Sequence, residues 1–69
     1  MKREEATKKY INKLEELSVG WGLYDKNFKE APEDEIGFIC VENKKEVKKI
    51  FEGCEIVDEN KNFICYKID

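Results

Sequence analysis

Residues 36–57 read IGFICVENKKEVKKIFEGCEIV, and the change of pattern inside this stretch decides the fold. Ile36 to Glu42 is apolar at almost every position, as a central strand must be when both of its faces meet other groups. The chain then turns at Asn43, and Val47, Ile50 and Phe51 recur at helical spacing, giving a helix one apolar stripe. Asn43 followed three residues later by Glu46 predicts a capping box at the start of that helix. Gly53 predicts its end, because glycine reaches the left-handed conformation without the cost borne by other residues. Cys54 to Val57 then begins a new strand.

Downstream, Cys54–Val57 and Phe63–Ile68 read as a hairpin joined by the polar cluster Asp58 to Asn62. A three-residue loop, Glu59 to Lys61, places Cys54 and Ile56 on the face of Ile64 and Tyr66, whereas a two-residue loop places Glu55 there. The first register is expected. Upstream, Ala6, Tyr10, Ile11, Leu14 and Leu17 mark a helix from Arg3 to Ser18, with Glu4 and Glu5 in its first turn and Gly20 as its C-terminal cap. Val19 to Tyr24 alternates as an edge strand with Val19, Trp21 and Leu23 on one side and Trp21 in the core. Asp25 to Glu35 has no period, contains Pro32, and is a loop longer than hairpin connections usually are.

The order is therefore helix, strand, strand, helix, strand, strand in one domain, residues 1–69. If the crossover through the second helix is right-handed, the fourth strand fits between the second and third. The expected fold is an α+β two-layer sandwich of order αββαββ. Its antiparallel sheet has strand order 1-2-4-3 and carries both helices on one face, a permuted ferredoxin-like arrangement. This is a topological deduction, and fold does not dictate function.

Composition removes several classes of chemistry. The 69 residues contain no histidine, the commonest general base and metal ligand, so no catalytic residue is assigned and an enzyme is not expected. Glu33, Asp34 and Glu35 lack the ligand spacing of a calcium loop, and Gly20-Trp21-Gly22 lacks the third glycine and the strand-to-helix setting of a dinucleotide loop. No cofactor or metal is expected. The longest apolar run, Phe38 to Val41, is far below the roughly 20 residues of a membrane span. The N-terminus has no secretory signal pattern, so a cytoplasmic address is expected. Cys40, Cys54 and Cys65 are odd in number and lack metal spacing, which makes small buried hydrophobes the main reading and a Cys40–Cys65 redox pair the sharper one.

Charge is uneven within a formal total of −3. Acids cluster at Glu30, Glu33, Asp34, Glu35 and Glu42, while Lys44, Lys45, Lys48 and Lys49 crowd the second helix. A pI near 5.1 argues against nucleic acid, which would otherwise use those lysines. Both faces of the sheet read as apolar, because Phe63 and Cys65 point away from the helices while strand two offers Ile36, Phe38 and Cys40 on one side and Ile39 and Val41 on the other. Two short helices cover one face. Either Phe28 and the long loop roof the other, or it meets a partner. The expected function is a small non-enzymatic protein-binding module, acting on a protein partner or as a homodimer through the sheet face. The expected partner-binding residues are Tyr24, Phe28, Glu30, Glu33, Asp34, Glu35, Phe38 and Phe63. One version is an inhibitor encoded by a virus or mobile element that blocks a basic surface of a host protein. The alternatives are a small-ligand or regulatory domain and a nucleic-acid binder.

Overall fold

The computed structural model describes residues 1–30 and 35–68. Four strands, β1 (Trp21–Tyr24), β2 (Phe38–Glu42), β3 (Glu55–Glu59) and β4 (Phe63–Lys67), form one antiparallel sheet of order β1-β2-β4-β3. This is the order that residues 36–57 predict, because the short helix Lys45–Ile50 carries the chain from β2 past the site of β4 to the far edge.

The N-terminal helix is one rod in three segments, α-helical at Arg3–Ala6 and Asn12–Glu16 and π-helical at Thr7–Ile11. Its widened turn lets the consecutive residues Tyr10 and Ile11 both be buried along with Ala6 and Leu14. The rod ends in a Schellman arrangement: Val19 N–H reaches Leu14 O at 3.2 Å, and Ser18 N–H reaches Glu15 O at 3.1 Å. Ser18 takes the left-handed conformation, φ 55°, so the cap falls on a serine rather than on Gly20. Val19 and Leu14 are both buried there, and that apolar pairing sets the ending two residues earlier than glycine chemistry suggests.

The short helix also begins differently from the expectation. Its N-cap is Lys44, with no side-chain cap, and the Asn43–Glu46 capping box does not form. Asn43 instead turns its amide toward the hairpin, donating to Asn60 O at 2.7 Å and Glu59 Oε2 at 3.3 Å. The reason is geometric, since the β2–helix turn lies beside the β3–β4 turn and the Asn43 backbone N–H already donates to Asn62 O. Gly53 ends the helical turn as predicted, at φ 91°.

Both helices lie on one face, where Ala6, Tyr10, Leu14, Val47 and Phe51 meet Leu23, Ile39, Val41, Ile64 and Tyr66. Phe51, 1% exposed, stacks between Tyr10 at 4.7 Å and Tyr66 at 4.5 Å, joining both helical regions to the sheet.

The β3–β4 register reaches the expected face by an unexpected route. Asn60 N–H donates to Phe63 O, and Glu59 pairs with Ile64, as in a two-residue turn that would bring Glu55 to the core side. A bulge between Ile56 and Asp58 then absorbs Val57 and sets Ile56 opposite Tyr66. Ile56 shares the core face but sits at the sheet edge, 51% exposed.

Candidate functional site: the open face of the sheet

Because β-strand side chains alternate, the rows that face away from the helices are fixed by register. Gly22, Cys40, Cys65 and Asp58 form one row, Tyr24, Phe38, Lys67 and Glu55 the next, and Glu42 with Phe63 a third. Ile36 does not belong to this face. It is fully buried in the core, because the chain leaves strand geometry at Gly37 before β2 begins.

Gly37 has a second role, which sequence reasoning missed. A Cβ at this position would lie 3.0 Å from both the backbone N and Cα of Lys26, so glycine is what allows the segment after β1 to cross the start of β2. That segment is a tight turn organised by Asp25, whose Oδ1 accepts the N–H of Asn27 at 2.8 Å and of Lys29 at 3.0 Å. Asp25 N–H donates to Lys29 O, and Phe28 N–H to Asp25 O, each at 3.0 Å. The Lys29 N–H above all holds the Asp25 carboxyl below its ordinary pKa; desolvation opposes it, and the Asn27 N–H and the Lys29 and Lys26 charges add to the lowering.

The product of this turn is the position of Phe28. Its φ is 63°, unusual for a bulky residue. The ring stacks on Phe38 at 4.3 Å and lies 5.6 Å from Tyr24, while the residue stays 45% exposed. Tyr24 lies along the sheet over Gly22, whose missing side chain makes room for it. Phe63, 41% exposed, stands apart at the far end of the face, so three of the four aromatic residues expected here come together and the fourth does not.

The expected acidic residues are less unified. Glu30 forms an isolated backbone bridge with Tyr24, which brings it beside the cluster. The Glu35 carboxylate is engaged by the Met1 ammonium at 3.1 Å and lies 3.9 Å from Lys2 Nζ. Glu33 and Asp34 lie outside the described residues. Trp21 is not a core residue, being 36% exposed in the edge strand β1, where one side of the strand has no neighbour in the sheet. With Arg3, Gly22, Leu23, Tyr24 and Glu30 it lines a shallow cavity of about 280 Å³.

Cysteine also departs from the main reading. Cys40 and Cys65, directly opposite on β2 and β4, form a disulfide on the open face. The signal was present in the sequence, since a 1-2-4-3 order makes those strands neighbours. Cys54 is a free thiol on the helix side, 3.6 Å from the Tyr10 hydroxyl. Burial, with Cys54 adding to it, pushes the Tyr10 phenol up to about 12, and burial followed by the nearby Glu59 and Cys54 raises Tyr66.

Among the described residues, no group of three or more acidic or cysteine side chains is placed to hold a metal ion, and no helix is long and apolar enough to cross a membrane. Two of the four helix lysines have acidic neighbours, Lys44 with Glu42 at 3.8 Å and Lys48 with Glu59 at 3.6 Å. Compared with known proteins, the chain matches no family model, no curated protein and no solved structure.

Proposed function

We propose that this chain is a small non-enzymatic protein-binding module that presents the open face of its sheet to a protein partner, with a cytoplasmic address. The observation that supports the reading is Phe28. An aromatic residue in a left-handed backbone conformation carries a cost of order 1 kcal/mol, and such outliers concentrate where a surface is arranged for contact. Here the cost is borne by a turn held through four hydrogen bonds, and the result is a half-exposed ring stacked on Phe38 rather than a buried one. Clustered aromatic residues on a rigid support are the usual anchors of protein interfaces.

The contact is chiefly apolar. Tyr24, Phe28 and Phe38 form its centre, Phe63 extends it, and Glu30 supplies a charged margin. The narrower version, an inhibitor that occupies a basic channel, asks the acidic loop to bind, and Glu35 lends it little because its carboxylate already has Met1 and Lys2. The nucleic-acid alternative is weakened in the same way by the acids beside Lys44 and Lys48.

The test is quantitative affinity capture from the native cell, run in parallel with wild type, a Phe28→Ala, Phe63→Ala double variant and a Leu17→Ala control. Leu17 is exposed on the helix side, away from the proposed contact. The reading predicts proteins retained by wild type and the control and lost from the double variant. Identical retention by all three contradicts it. Sedimentation of the purified proteins separates self-association from a foreign partner.

A further inference from the structure

The two residues joined by the disulfide are unequally exposed. Cys40 is partly exposed on the open face, whereas Cys65, directly across the ladder, is 2% exposed. The third cysteine cannot intervene, since Cys54 lies on the opposite side of the sheet beside Tyr10. From this asymmetry we infer that Cys40 is a thiol-exchange site: a low-molecular-weight thiol such as glutathione enters at Cys40 Sγ and opens the clamp between β2 and β4.

The chemistry follows from access, because exchange requires a thiolate to reach one sulfur of the bond. A glutathione thiolate attacks Cys40 Sγ, the Cys40–Cys65 bond breaks, and its electron pair leaves on Cys65 Sγ, which takes a proton from water. Cys40 then carries glutathione in a mixed disulfide. A second glutathione thiolate attacks the glutathione sulfur of that adduct and releases Cys40 as a thiolate, which is protonated in turn. Two electrons pass from two glutathiones to the protein, and glutathione disulfide is the oxidised product.

Opening the bond matters for a chain this small. Its cysteines are 25 residues apart, and releasing a loop of that length restores enough disorder to the unfolded chain to lower the melting temperature by roughly 15–30 °C. Disulfides in reducing compartments are as a rule transient and redox-sensing, so the proposed cytoplasmic address and a reversible clamp are mutually consistent. The inference does not rest on the binding role of the open face, since every readout below is taken on the free protein.

The experiment treats the oxidised 69-residue chain with limiting reduced glutathione, quenches it with acid, and maps the adduct by peptide mass spectrometry. Melting temperatures are recorded in excess glutathione and after reoxidation. Glutathione should appear on Cys40 at least tenfold over Cys65, with a reversible fall in melting temperature that persists in Cys54→Ser. In single variants under reducing conditions, Cys40 of Cys65→Ser should be alkylated at least tenfold faster than Cys65 of Cys40→Ser. An adduct on Cys65 or shared equally, a bond that survives excess glutathione, or a melting temperature indifferent to reduction overturns the proposal. If either serine variant fails to fold, the wild-type adduct map and melting shift decide it alone.

Discussion

The two faces of the sheet are built from similar residues and do different things with them. On the covered face, Phe51 lies between Tyr10 and Tyr66 and has almost no contact with water. On the open face, Phe28 lies on Phe38 and beside Tyr24 in a comparable stack, but nearly half of it is wet. The first stack joins three parts of the fold, whereas the second is carried by one turn and one close approach at Gly37. Aromatic stacking alone therefore does not tell a buried core from an exposed surface. What surrounds the stack does.

The largest expected effect lies on the covered face. Phe51→Ala should lose about 3–5 kcal/mol of unfolding free energy, because it removes a fully enclosed aromatic side chain. Urea denaturation checks this, and a loss below about 1 kcal/mol would mean that the core does not close around this ring.

The two faces should also differ in the direction of their pH response. Tyr10 has a folded-state pKa raised to about 12, so its contribution is complete below the ordinary phenol value near 10 and is lost as pH rises toward 12. Asp25 is lowered, so the order it gives the Phe28 turn is present above the ordinary carboxylate value and lost as pH falls through the depressed one. Alkaline titration followed by tyrosine absorbance should therefore report late ionisation together with unfolding. Acid titration followed by the amide shifts of Asn27 and Lys29 should report release of the turn before the core melts. The same midpoint for both signals in acid would unite what the structure separates.

A smaller effect sharpens the face assignment of β3. Deleting Val57 removes the bulged residue and leaves Glu59 opposite Ile64 and Ile56 opposite Tyr66 in one regular ladder. The deletion should cost only about 1–2 kcal/mol, the value of a half-buried valine, and preserve the Ile56–Tyr66 cross-strand nuclear Overhauser contact. Ordinarily a one-residue deletion in a strand exchanges its faces. Loss of the Ile56–Tyr66 contact would show that the bulge is not what sets this register.

Much of the covered face was legible in the sequence. The helical spacing of Ala6, Tyr10, Ile11 and Leu14, the apolar run from Ile36, and the helix before Gly53 together specified the topology, because burying one stripe per helix leaves few ways to order four strands. The open face was legible only in part. Parity placed Phe63 and Cys65 there and put Phe38 and Cys40 on one side of β2. The break at Gly37, which sends Ile36 to the core instead, is a tertiary contact with Lys26 that no local pattern announces. Gly20 and the Asn43–Glu46 pair misled for one reason: a cap is set by which apolar residue packs next, and by which neighbour a side chain can reach, as much as by residue type.

Ser18 gives the smallest expected effect and a direct check of that reason. Ser18→Gly should raise stability by up to about 1 kcal/mol, since glycine adopts the left-handed cap without steric cost. The same change at Gly20 is already made by the chain and supplies no cap.

If Phe28 is held for display and not for folding, removing its ring should cost the fold little. Unfolding of Phe28→Gly in urea tests that claim directly, because glycine relieves a left-handed backbone by about 1 kcal/mol and forfeits a half-exposed stack of about the same size. The predicted result is a stability within about 1 kcal/mol of wild type. A loss of about 3 kcal/mol or more, the range of a buried aromatic residue, would make Phe28 part of the core and contradict the reading of this face as a presented surface.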